Sequence, residues 1–448
     1  MTYKQFNSLD DMTAEMSRLE ANRIYFKNLS PNDNSKNQIY LGPNLEALSI
    51  LPIGEIEVSE LRSKKPSASN KIFKASLNFY WASAEGYALK APNAQVIFYP
   101  QYPEVRASGF LKGCPAAPQI MAQRLEGRVL FFAVTSNRKI IAHVVDRTSP
   151  IVKELAANPK RVHKLNEVIS ELVFGAFDNS STHLLKKLRQ ISQKGWITAR
   201  RLTTNGLQPC HGGNCGGLTL EAELEVTQNG RSEPDYNGWE IKQFNLAKFS
   251  SKANKVITVM TPEPTGGLYK EKGAEDFVIK YGYKDSDDPT RLNFSGIYKC
   301  NKVNPKSGLK MILEGFDTSK GRIAKAEGSI RLVDDKKSII AASWDFAGLL
   351  THWNKKHFSA AYIPSLKQLG NNGVEYRYGG EALLGFGTEL NLFLSAFSAG
   401  TVYYDPGIHL DKAGTSDQKI KKRSQFRIKR HDIKSLYKNT ENHTLSER

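Results

Sequence analysis

The sequence predicts a two-domain protein, in which an N-terminal β-barrel precedes a C-terminal domain of mixed helices and strands. Three observations support this fold class. The chain has 448 residues, enough for two or three domains of ordinary size. Segments before about residue 145 are patterned as strands, and the apolar spacing becomes helical between 149 and 194. We therefore predict a first domain of residues 1–148, a helical linker of residues 149–185 and a second domain of residues 186–448.

The strands of the first domain are predicted from short apolar segments between turn-rich loops. Val129 to Val134 is an uninterrupted apolar run, which is typical of a strand buried on both faces. Two longer polar segments, Ser30–Gly42 and Tyr99–Gly113, are expected to be loops that extend from the barrel as arms. The predicted strands are Arg23–Lys27, Lys74–Trp81, Ala94–Tyr99 and Arg128–Thr135.

The linker and the start of the second domain are predicted to be helical. Ser149-Pro150 is a typical helix start, because proline at the first helical position needs no hydrogen bond. Apolar residues then recur at helical spacing on one face of each predicted helix. They are Val152, Leu155, Leu165, Val168, Ile169 and Leu172, and later Leu184, Leu185, Leu188 and Ile191.

The net charge favours a polyanionic partner. Lys and Arg number 63 against 45 Asp and Glu, which gives +18. The densest basic run extends from Lys419 to Lys434 and contains apolar residues such as Phe426 and Ile428. Apolar neighbours anchor a segment, so we interpret this run as cations held in fixed positions against DNA and not as a solvated tail.

The composition excludes several classes of protein. No apolar run approaches the ~20 residues that span a bilayer, so no membrane association is expected. The first residues lack the apolar stretch of a secretory signal, and we expect a cytoplasmic protein. A disulfide scaffold is not expected from four cysteines, which are Cys114, Cys210, Cys215 and Cys300.

The segment DYNGWEIK predicts a site for a divalent cation. Asn237-Gly238 is a strong hairpin-turn pattern, and a two-residue turn there places Tyr236 opposite Trp239. In that register Asp235 lies opposite Glu240. Two carboxylates so placed repel each other unless a cation lies between them. Oxygen ligands of this kind suit Mg²⁺.

Lys242 completes a pattern for phosphodiester hydrolysis. It lies two residues after Glu240, so both side chains project from the same face of a strand. Its ammonium group can then hold or deprotonate a water beside the metal. Residues 218–226 are predicted to form a short helix on which Glu221 and Glu225 share a face. A surface hairpin with a weak ion pair is the alternative interpretation.

These residues resemble the MvaI/BcnI restriction endonucleases, which are monomeric PD-(D/E)xK enzymes that cut short C/G-rich pseudopalindromes. The similarity is carried by Gly217-Leu-Thr-Leu-Glu221, Glu233-Pro-Asp235 and Glu240-Ile-Lys242, and it extends over roughly residues 185–440. It implies a restriction-endonuclease-like fold, Asp235 and Glu240 as Mg²⁺ ligands, and Lys242 serving the attacking water. Glu221 would complete the catalytic site from its helix.

The same resemblance implies residues that read DNA. Ser424-Gln-Phe-Arg427-Ile is similar to the segment that enters the major groove in this family, so Arg427 is a candidate reader of guanine. Arg423 belongs to the same basic run. His409 and Asp411 precede that run and are further candidates, with a structural turn as the alternative explanation for their positions.

The N-terminal domain resembles the EcoRII-type effector domain, a B3-like pseudobarrel with two arms that grip DNA. The similarity rests on Phe26-Lys-Asn-Leu-Ser-Pro-Asn-Asp33 and Glu104-Val-Arg106. The family arm has Lys where this chain has Val105. The resemblance implies DNA contacts by Asn32, Asp33, Lys36, Glu104 and Arg106.

The two resemblances together imply a Type IIE restriction endonuclease from a prokaryotic restriction-modification system. One domain would bind a copy of the site as effector, while the other hydrolyses a second copy in double-stranded DNA with Mg²⁺. The implied site is CCWGG, and a monomer is expected. Two alternatives remain open at this point: a sequence-specific DNA-binding regulator with an inactive nuclease fold, and a mismatch-directed nickase.

A zinc site at Cys210-His211-Gly-Gly-Asn-Cys215 is a further hypothesis. Only three ligands are in view, and their spacing is not that of a common zinc fold. We expect instead a flexible glycine-rich loop before the helix that carries Glu221.

Overall fold

The fold consists of two compact units in this computed structural model. The N-terminal unit extends from Met1 to His183 and the C-terminal unit from Leu184 to Arg448. Each unit has its own cluster of buried apolar side chains. The structure describes residues 5–31, 38–43, 45, 48, 50–60, 71–85, 88–102, 104–114, 117–135, 137–165, 167–174, 180–227, 236, 238–252, 254–334, 336–356 and 359–445.

The N-terminal unit is mainly β. The α-helices described from end to end are α1 (Leu9–Arg18) and α2 (Pro150–Ala157). Its strands are β1 (Ala21–Leu29), β2 (Ile39–Gly42), β3 (Glu57–Glu60), β4 (Lys71–Ser76), β5 (Phe79–Ala82), β6 (Ala88–Lys90), β7 (Gln95–Tyr99), β8 (Glu104–Ser108), β9 (Arg128–Thr135), β10 (Ile140–Val145), β11 (Val162–Lys164) and β12 (Ser170–Leu172). Short 3₁₀ turns lie at Gln119–Ala122 and Pro159–Arg161.

These strands form two sheets in the described residues. One has the order β11-β12-β1-β9-β10-β5-β6, and the other has the order β2-β8-β7-β4-β3. Every residue of β10 is buried, as are Val129 to Ala133 of β9. The prediction of a mainly β N-terminal domain is confirmed, and its assignment to the B3-like class remains a prediction.

Three features of this unit differ from the sequence predictions. Helix α1 was not predicted; Ser8 caps it by accepting from the Asp11 amide at 3.0 Å, and Leu9 lies on its buried face. The predicted arm Tyr99–Gly113 contains strand β8, in which alternate side chains are buried. The predicted helical linker of residues 149–185 holds one short helix, then strands β11 and β12, and at its end the first turn of a further helix, Ser180–Gln193. Proline at 159 ends that helical conformation, and the apolar residues beyond it extend the sheet instead.

The C-terminal unit mixes helices and strands, as predicted. Its helices are α3 (Ser180–Gln193), which begins four residues before the unit boundary, α4 (Cys215–Glu223), α5 (Leu268–Tyr281), α6 (Phe346–Lys356) and α7 (Leu390–Ser398). A 3₁₀ helix spans Arg430–Leu436. The apolar face predicted for α3 is confirmed, since Leu184, Leu185, Leu188 and Ile191 are all buried.

The strands of this unit are numerous and short. They are β13 (Trp196–Thr198), β14 (Arg200–Thr203), β15 (Gly206–Pro209), β16 (Trp239–Asn245), β17 (Val256–Met260), β18 (Tyr283–Lys284), β19 (Leu292–Ser295), β20 (Lys310–Glu314), β21 (Phe316–Asp317), β22 (Arg322–Ile323), β23 (Ser329–Asp334), β24 (Ile339–Asp345), β25 (Ser359–Gly370), β26 (Gly373–Tyr378), β27 (Glu381–Phe386), β28 (Val402–Tyr404), β29 (Gly407–Asp411), β30 (Lys419–Lys421), β31 (Phe426–Lys429) and β32 (Asn439–Thr444).

Two sheets of the C-terminal unit position the candidate site. The larger has the order β13-β26-β25-β27-β32, and β16 pairs in parallel with β25. The smaller has the order β17-β31-β28. In the described residues β16 pairs in register only with β25 and β17 only with β31, so both are edge strands. Within the same residues, no helix combines the length and the hydropathy of a transmembrane span.

Candidate functional site

A tight turn introduces the strand that carries the predicted catalytic residues. The Tyr236 amide donates to the Trp239 carbonyl at 3.0 Å, and the Trp239 amide donates back at 2.8 Å. Gly238 has a φ of 85°, which this turn requires and which glycine adopts without strain. The predicted pairing of Tyr236 with Trp239 is therefore confirmed. Asp235 and Asn237 lie outside the described residues. That Asp235 lies opposite Glu240 therefore remains a prediction.

Glu240 and Lys242 meet on strand β16. The Lys242 Nζ donates to Glu240 Oε1 at 2.5 Å, and the Glu240 side chain is only 2% exposed. Its other oxygen, Oε2, is buried and has no hydrogen-bond partner among the described residues. A buried carboxylate with one oxygen unsatisfied carries a large desolvation cost, which a cation would offset. The predicted placement of both side chains on one face is thus observed.

The fit to a divalent metal can be judged from the donor set. Glu240 supplies a buried anionic oxygen without a protein partner, which is the type of ligand that Mg²⁺ prefers. No three His, Cys, Asp or Glu side chains gather at one point in the part of the chain that the structure describes. Asp235, the second predicted ligand, is not in that part. The described donor is therefore consistent with a metal site that needs at least one further ligand.

Helix α4, which carries Glu221, packs against the strand that carries Glu240. The helix packs closely on β16 at Gly216, where an added Cβ would lie 2.6 Å from the Gln243 Oε1. Thr219 fixes the helix to β14, because its Oγ1 accepts from the Arg200 amide at 3.0 Å and donates to the Arg200 carbonyl. Glu221 itself is half-buried.

The predicted helix of residues 218–226 is shorter than expected at its C-terminus. Leu224 is the C-cap, and Glu225 has a left-handed φ of 63°. The Val226 amide donates to the Glu221 carbonyl at 2.9 Å, and the Glu225 amide donates to the Ala222 carbonyl at 3.1 Å. This bonding pattern ends a helix. The prediction that Glu221 and Glu225 share a helical face is wrong, since Glu225 turns away and pairs with Lys187 at 2.9 Å.

An open groove of about 520 Å³ connects Lys242 with Arg427. Its walls are the two edge strands β16 and β17, and the side chains that line it are mainly polar or basic. Besides Lys242 and Arg427 they include Gln243, Asn245, Lys255, Thr258 and His352. Cations and hydrogen-bond donors of this kind suit a phosphate backbone. The groove therefore joins the predicted hydrolytic residue to the predicted base reader.

Arg427 is held in place within the basic run. It lies on β31, and its Nη1 donates to Asp405 Oδ2 at 2.7 Å. Its Nε is buried without a hydrogen-bond partner in the described residues. Phe426 and Ile428 are completely buried on either side of it. The prediction that apolar residues anchor this basic run is confirmed.

The other DNA-contact candidates of this unit lie in or next to a further sheet, which has the order β18-β19-β29-β30. His409 and Asp411 are on β29, so they belong to a strand and not to a turn. Asp411 accepts from Arg291 Nε at 2.5 Å and lies 3.7 Å from His409. Burial lowers the pKa of His409, which leaves the imidazole neutral at pH 7. Arg423 is exposed.

The candidates of the N-terminal unit are described in part. Arg106 donates to Glu104 Oε2 and to Gln38 Oε1, both at 3.0 Å. Its guanidinium lies 5.9 Å from the centre of the Tyr99 ring. These groups hold the arginine on strand β8. Asn32, Asp33 and Lys36 lie outside the described residues.

The structure does not support the zinc hypothesis. Cys210 and Cys215 form a disulfide, with their Cα atoms 5.7 Å apart. Sulfurs bonded to each other are not thiolate ligands. The loop before α4, which we expected to be flexible, is closed by this bond.

The sequence did not reveal several residues of the site. Lys255, Thr258 and His352 reach the groove from β17 and α6, and no local motif marks them. Tyr362, which is paired with Lys242 across β16 and β25, and Tyr437 are both buried, with their hydroxyls 2.9 Å apart. Burial raises the pKa of Tyr362 to about 12, so its hydroxyl stays neutral.

Comparisons with known proteins concern the C-terminal unit. Residues 185–437 match the family described as the MvaI/BcnI restriction endonuclease family. No curated protein matches the chain. A solved structure of the restriction endonuclease MvaI in complex with its cognate DNA substrate is 18% identical, covering 60% of this chain and 100% of that one, with a TM-score of 0.45. MvaI in the absence of DNA is 17% identical, covering 61% and 100%, with a TM-score of 0.33. The family match extends over more than half of the chain.

Proposed function

This chain belongs to the MvaI/BcnI restriction endonuclease family, and we propose that it hydrolyses double-stranded DNA at a short specific site with Mg²⁺. The site we propose is CCWGG. The observation that carries the proposal is the buried Glu240, which is paired through one oxygen with Lys242 and has its other oxygen unsatisfied among the described residues. This pair adjoins a basic groove that ends at Arg427.

Each residue has a distinct role in the proposed reaction. Asp235 and Glu240 hold the cation, and a bound Mg²⁺ would polarise the scissile phosphate and lower the pKa of a water. Lys242 orients the attacking water and offsets charge that develops on the phosphate oxygens. Glu221 completes the site from α4. The products are expected to carry 5′-phosphate and 3′-hydroxyl ends.

The groove supplies the DNA contacts of the proposal. Lys255 and Thr258 would hold phosphates, which fixes register without reading sequence. Arg427 would read guanine, with Asp405 orienting its guanidinium. Arg423, His409 and Asp411 are assigned to the same interface.

The direct test is cleavage of a plasmid that contains two copies of CCWGG. Wild-type protein with Mg²⁺ is expected to cut it at these sites, and both Asp235→Ala and Lys242→Ala are expected to bind the DNA without cutting it. Run-off sequencing of the products would identify the cut positions. Binding without any cutting would favour a DNA-binding regulator, and nicking confined to mismatched duplexes would favour a repair nickase.

We also propose that the N-terminal unit is an effector domain, as in Type IIE enzymes. Glu104 and Arg106, together with Asn32, Asp33 and Lys36, would contact a second copy of the site. The Arg106 guanidinium, held by Glu104 and Gln38, supports this assignment because fixed arginines suit base recognition. A monomer with one active site would cut the two strands in turn. Cleavage rates on plasmids with one and with two CCWGG sites test this proposal, since only the two-site plasmid should be cut efficiently.

A further inference from the structure

Two buried tyrosines pack against the sheet that carries the candidate catalytic carboxylate, and the proposed reaction gives them no role. Tyr362 is 2% exposed and Tyr437 is 6% exposed. Their hydroxyl oxygens are 2.9 Å apart, and their rings meet edge to face with centres 6.2 Å apart. A buried pair of this kind is well ordered, because both polar ends have a partner.

The register of the central sheet places Tyr362 on the face of Glu240. Glu240 is paired with Ala360 across β16 and β25, and Ala360 is paired with Gly385 across β25 and β27. Register partners in neighbouring strands project from the same face of a sheet. The row that begins at Glu240 therefore continues with two of the smallest residues. Lys242 is paired with Tyr362 in the next row.

The ring of Tyr437 fills the space that these small residues leave. A Cβ added to Gly385 would lie 2.7 Å from the Tyr437 ring, so the ring rests directly on that glycine. The backbone on each side is fixed as well. Thr388 Oγ1 donates to the Leu436 carbonyl at 2.5 Å, and the Lys438 amide donates to the Gly387 carbonyl at 3.0 Å.

The hydroxyl pair has one O–H donor that is not used in the bond between the two tyrosines, and a carboxylate could accept from it. Two hydroxyls carry two protons, and the bond between them uses one. The charges of Lys242 and Glu240 both act on the Tyr362 hydroxyl, and the charge of Glu240 also acts on the Tyr437 hydroxyl. An O–H dipole turned toward this charge would stabilise it without neutralising it.

We propose that the Tyr362–Tyr437 hydroxyl pair is a positioning element of the active site. It packs on the sheet face that carries Glu240 and would fix the carboxylate, so that one oxygen meets Lys242 and the other is free to face the metal. This inference rests on the proposed function. Groups that orient metal ligands in this way typically change metal affinity or activity by ~10–100-fold when removed.

The experiment measures Mn²⁺ binding and Mg²⁺-dependent cleavage in the full-length protein. Tyr362→Phe, Tyr437→Phe and the double variant remove hydroxyls while keeping the rings. Gly385→Ala displaces the Tyr437 ring while keeping its hydroxyl. Tyr298→Phe is the matched control, because it removes a buried hydroxyl that donates to Ser307 at 3.1 Å in another sheet region. Mn²⁺ binding is followed by electron paramagnetic resonance on the protein with a CCWGG duplex.

The expected result is a rise of ~10–100-fold in the Mn²⁺ dissociation constant of the double variant, with smaller rises in the others. The kcat at fixed Mg²⁺ should fall while the KM for DNA stays unchanged, and the control should match wild type. Mn²⁺ affinities equal to wild type in the tyrosine variants would overturn this inference and leave the proposed function standing. A wild-type protein that neither binds Mn²⁺ nor cleaves would overturn the proposed function, and this inference with it.

Discussion

At the scale of residues, two buried glutamates show how partners decide between a structural and a catalytic role. Glu223 and Glu240 both have side chains that are 2% exposed. In Glu223 both oxygens are satisfied, one by Arg200 and the other by Lys194 at 2.7 Å. In Glu240 one oxygen lacks a hydrogen-bond partner within the described part of the chain. The first arrangement holds α4 against β14, and the second is suited to a cation that the protein does not itself supply.

Replacing each glutamate with glutamine should therefore affect a different property: cleavage for Glu240 and stability for Glu223. Glu240→Gln removes an incompletely paired buried charge, so we expect cleavage to fall by roughly 10²–10³-fold or more with little loss of stability. Glu223→Gln breaks two charged hydrogen bonds, and we expect it to lower the free energy of unfolding by about 1–3 kcal/mol. Single-turnover cleavage and urea unfolding of the two variants check this. A large loss of stability in Glu240→Gln with cleavage retained would contradict the assignment.

Arg427 offers a test of base recognition. Arg427→Ala should weaken binding to the cognate site by ~1–3 kcal/mol while leaving non-specific binding nearly unchanged. Lys429→Ala on the same strand is the matched control, because that side chain is exposed and should affect all sequences alike. Competition binding with cognate and scrambled duplexes measures the difference. Equal losses for both duplexes in the Arg427 variant would show that it contacts only the backbone.

At the scale of elements, the sequence predicts the turns and strand faces that depend only on neighbouring residues. The turn before β16 follows from Asn237-Gly238 and period-two spacing, and so do the positions of Glu240 and Lys242 on one face. The groove could not be predicted, because β17 and α6 are brought to β16 by tertiary packing alone. The prediction of a helix after residue 159 was wrong for a related reason. Its apolar spacing fits a helix, but the free edge of β1 offers those residues a sheet partner.

Strand β10 carries a histidine whose burial makes the N-terminal unit sensitive to pH. His143 is completely buried with its Nδ1 3.0 Å from the Ala82 carbonyl, and burial lowers its pKa to about 4. The unfolded chain binds this proton more readily, since an unperturbed histidine has a pKa near 6.5. Stability from this group is therefore complete above about pH 6.5 and is lost as the pH falls toward about 4.

The loss should be on the order of 3 kcal/mol across that range. Hydrogen exchange of β9 and β10 amides between pH 7 and pH 4, compared between wild type and His143→Gln, isolates this contribution. The variant should lose less stability than wild type on acidification. Identical pH profiles for the two proteins would show that the imidazole does not titrate in this way.

At the scale of the whole molecule, two units with separate cores divide the proposed tasks. The family match covers the C-terminal unit, whose fold class and nuclease family the sequence motifs predicted. For the N-terminal unit the strand segments named from the sequence overlap five of the twelve described strands, which are β1, β4, β5, β7 and β9. Continuous apolar runs such as Val129–Val134 need no tertiary information. Its effector role remains a prediction, and Asn32, Asp33 and Lys36 lie outside the described residues.

Arg106→Ala tests the division of tasks without deleting a domain. We expect it to abolish the stimulation of cleavage by a second CCWGG site while leaving one-site cleavage unchanged. Arg138→Ala is a suitable control, because its Nη2 donates to the Ile53 carbonyl in the same unit without a proposed DNA contact. Cleavage rates on one-site and two-site plasmids give the comparison. Stimulation that survives in the Arg106 variant would remove this residue from the effector interface.

The most direct test of the account is the position of a divalent cation in crystals of the protein with a CCWGG duplex and Mn²⁺. Anomalous scattering locates the metal independently of any assumption about its ligands. We predict a cation about 2–2.5 Å from Glu240 Oε2, beside the Lys242 ammonium. A cation bound elsewhere, or a Glu240 carboxylate that stays uncoordinated at saturating Mn²⁺, would contradict the proposed active site.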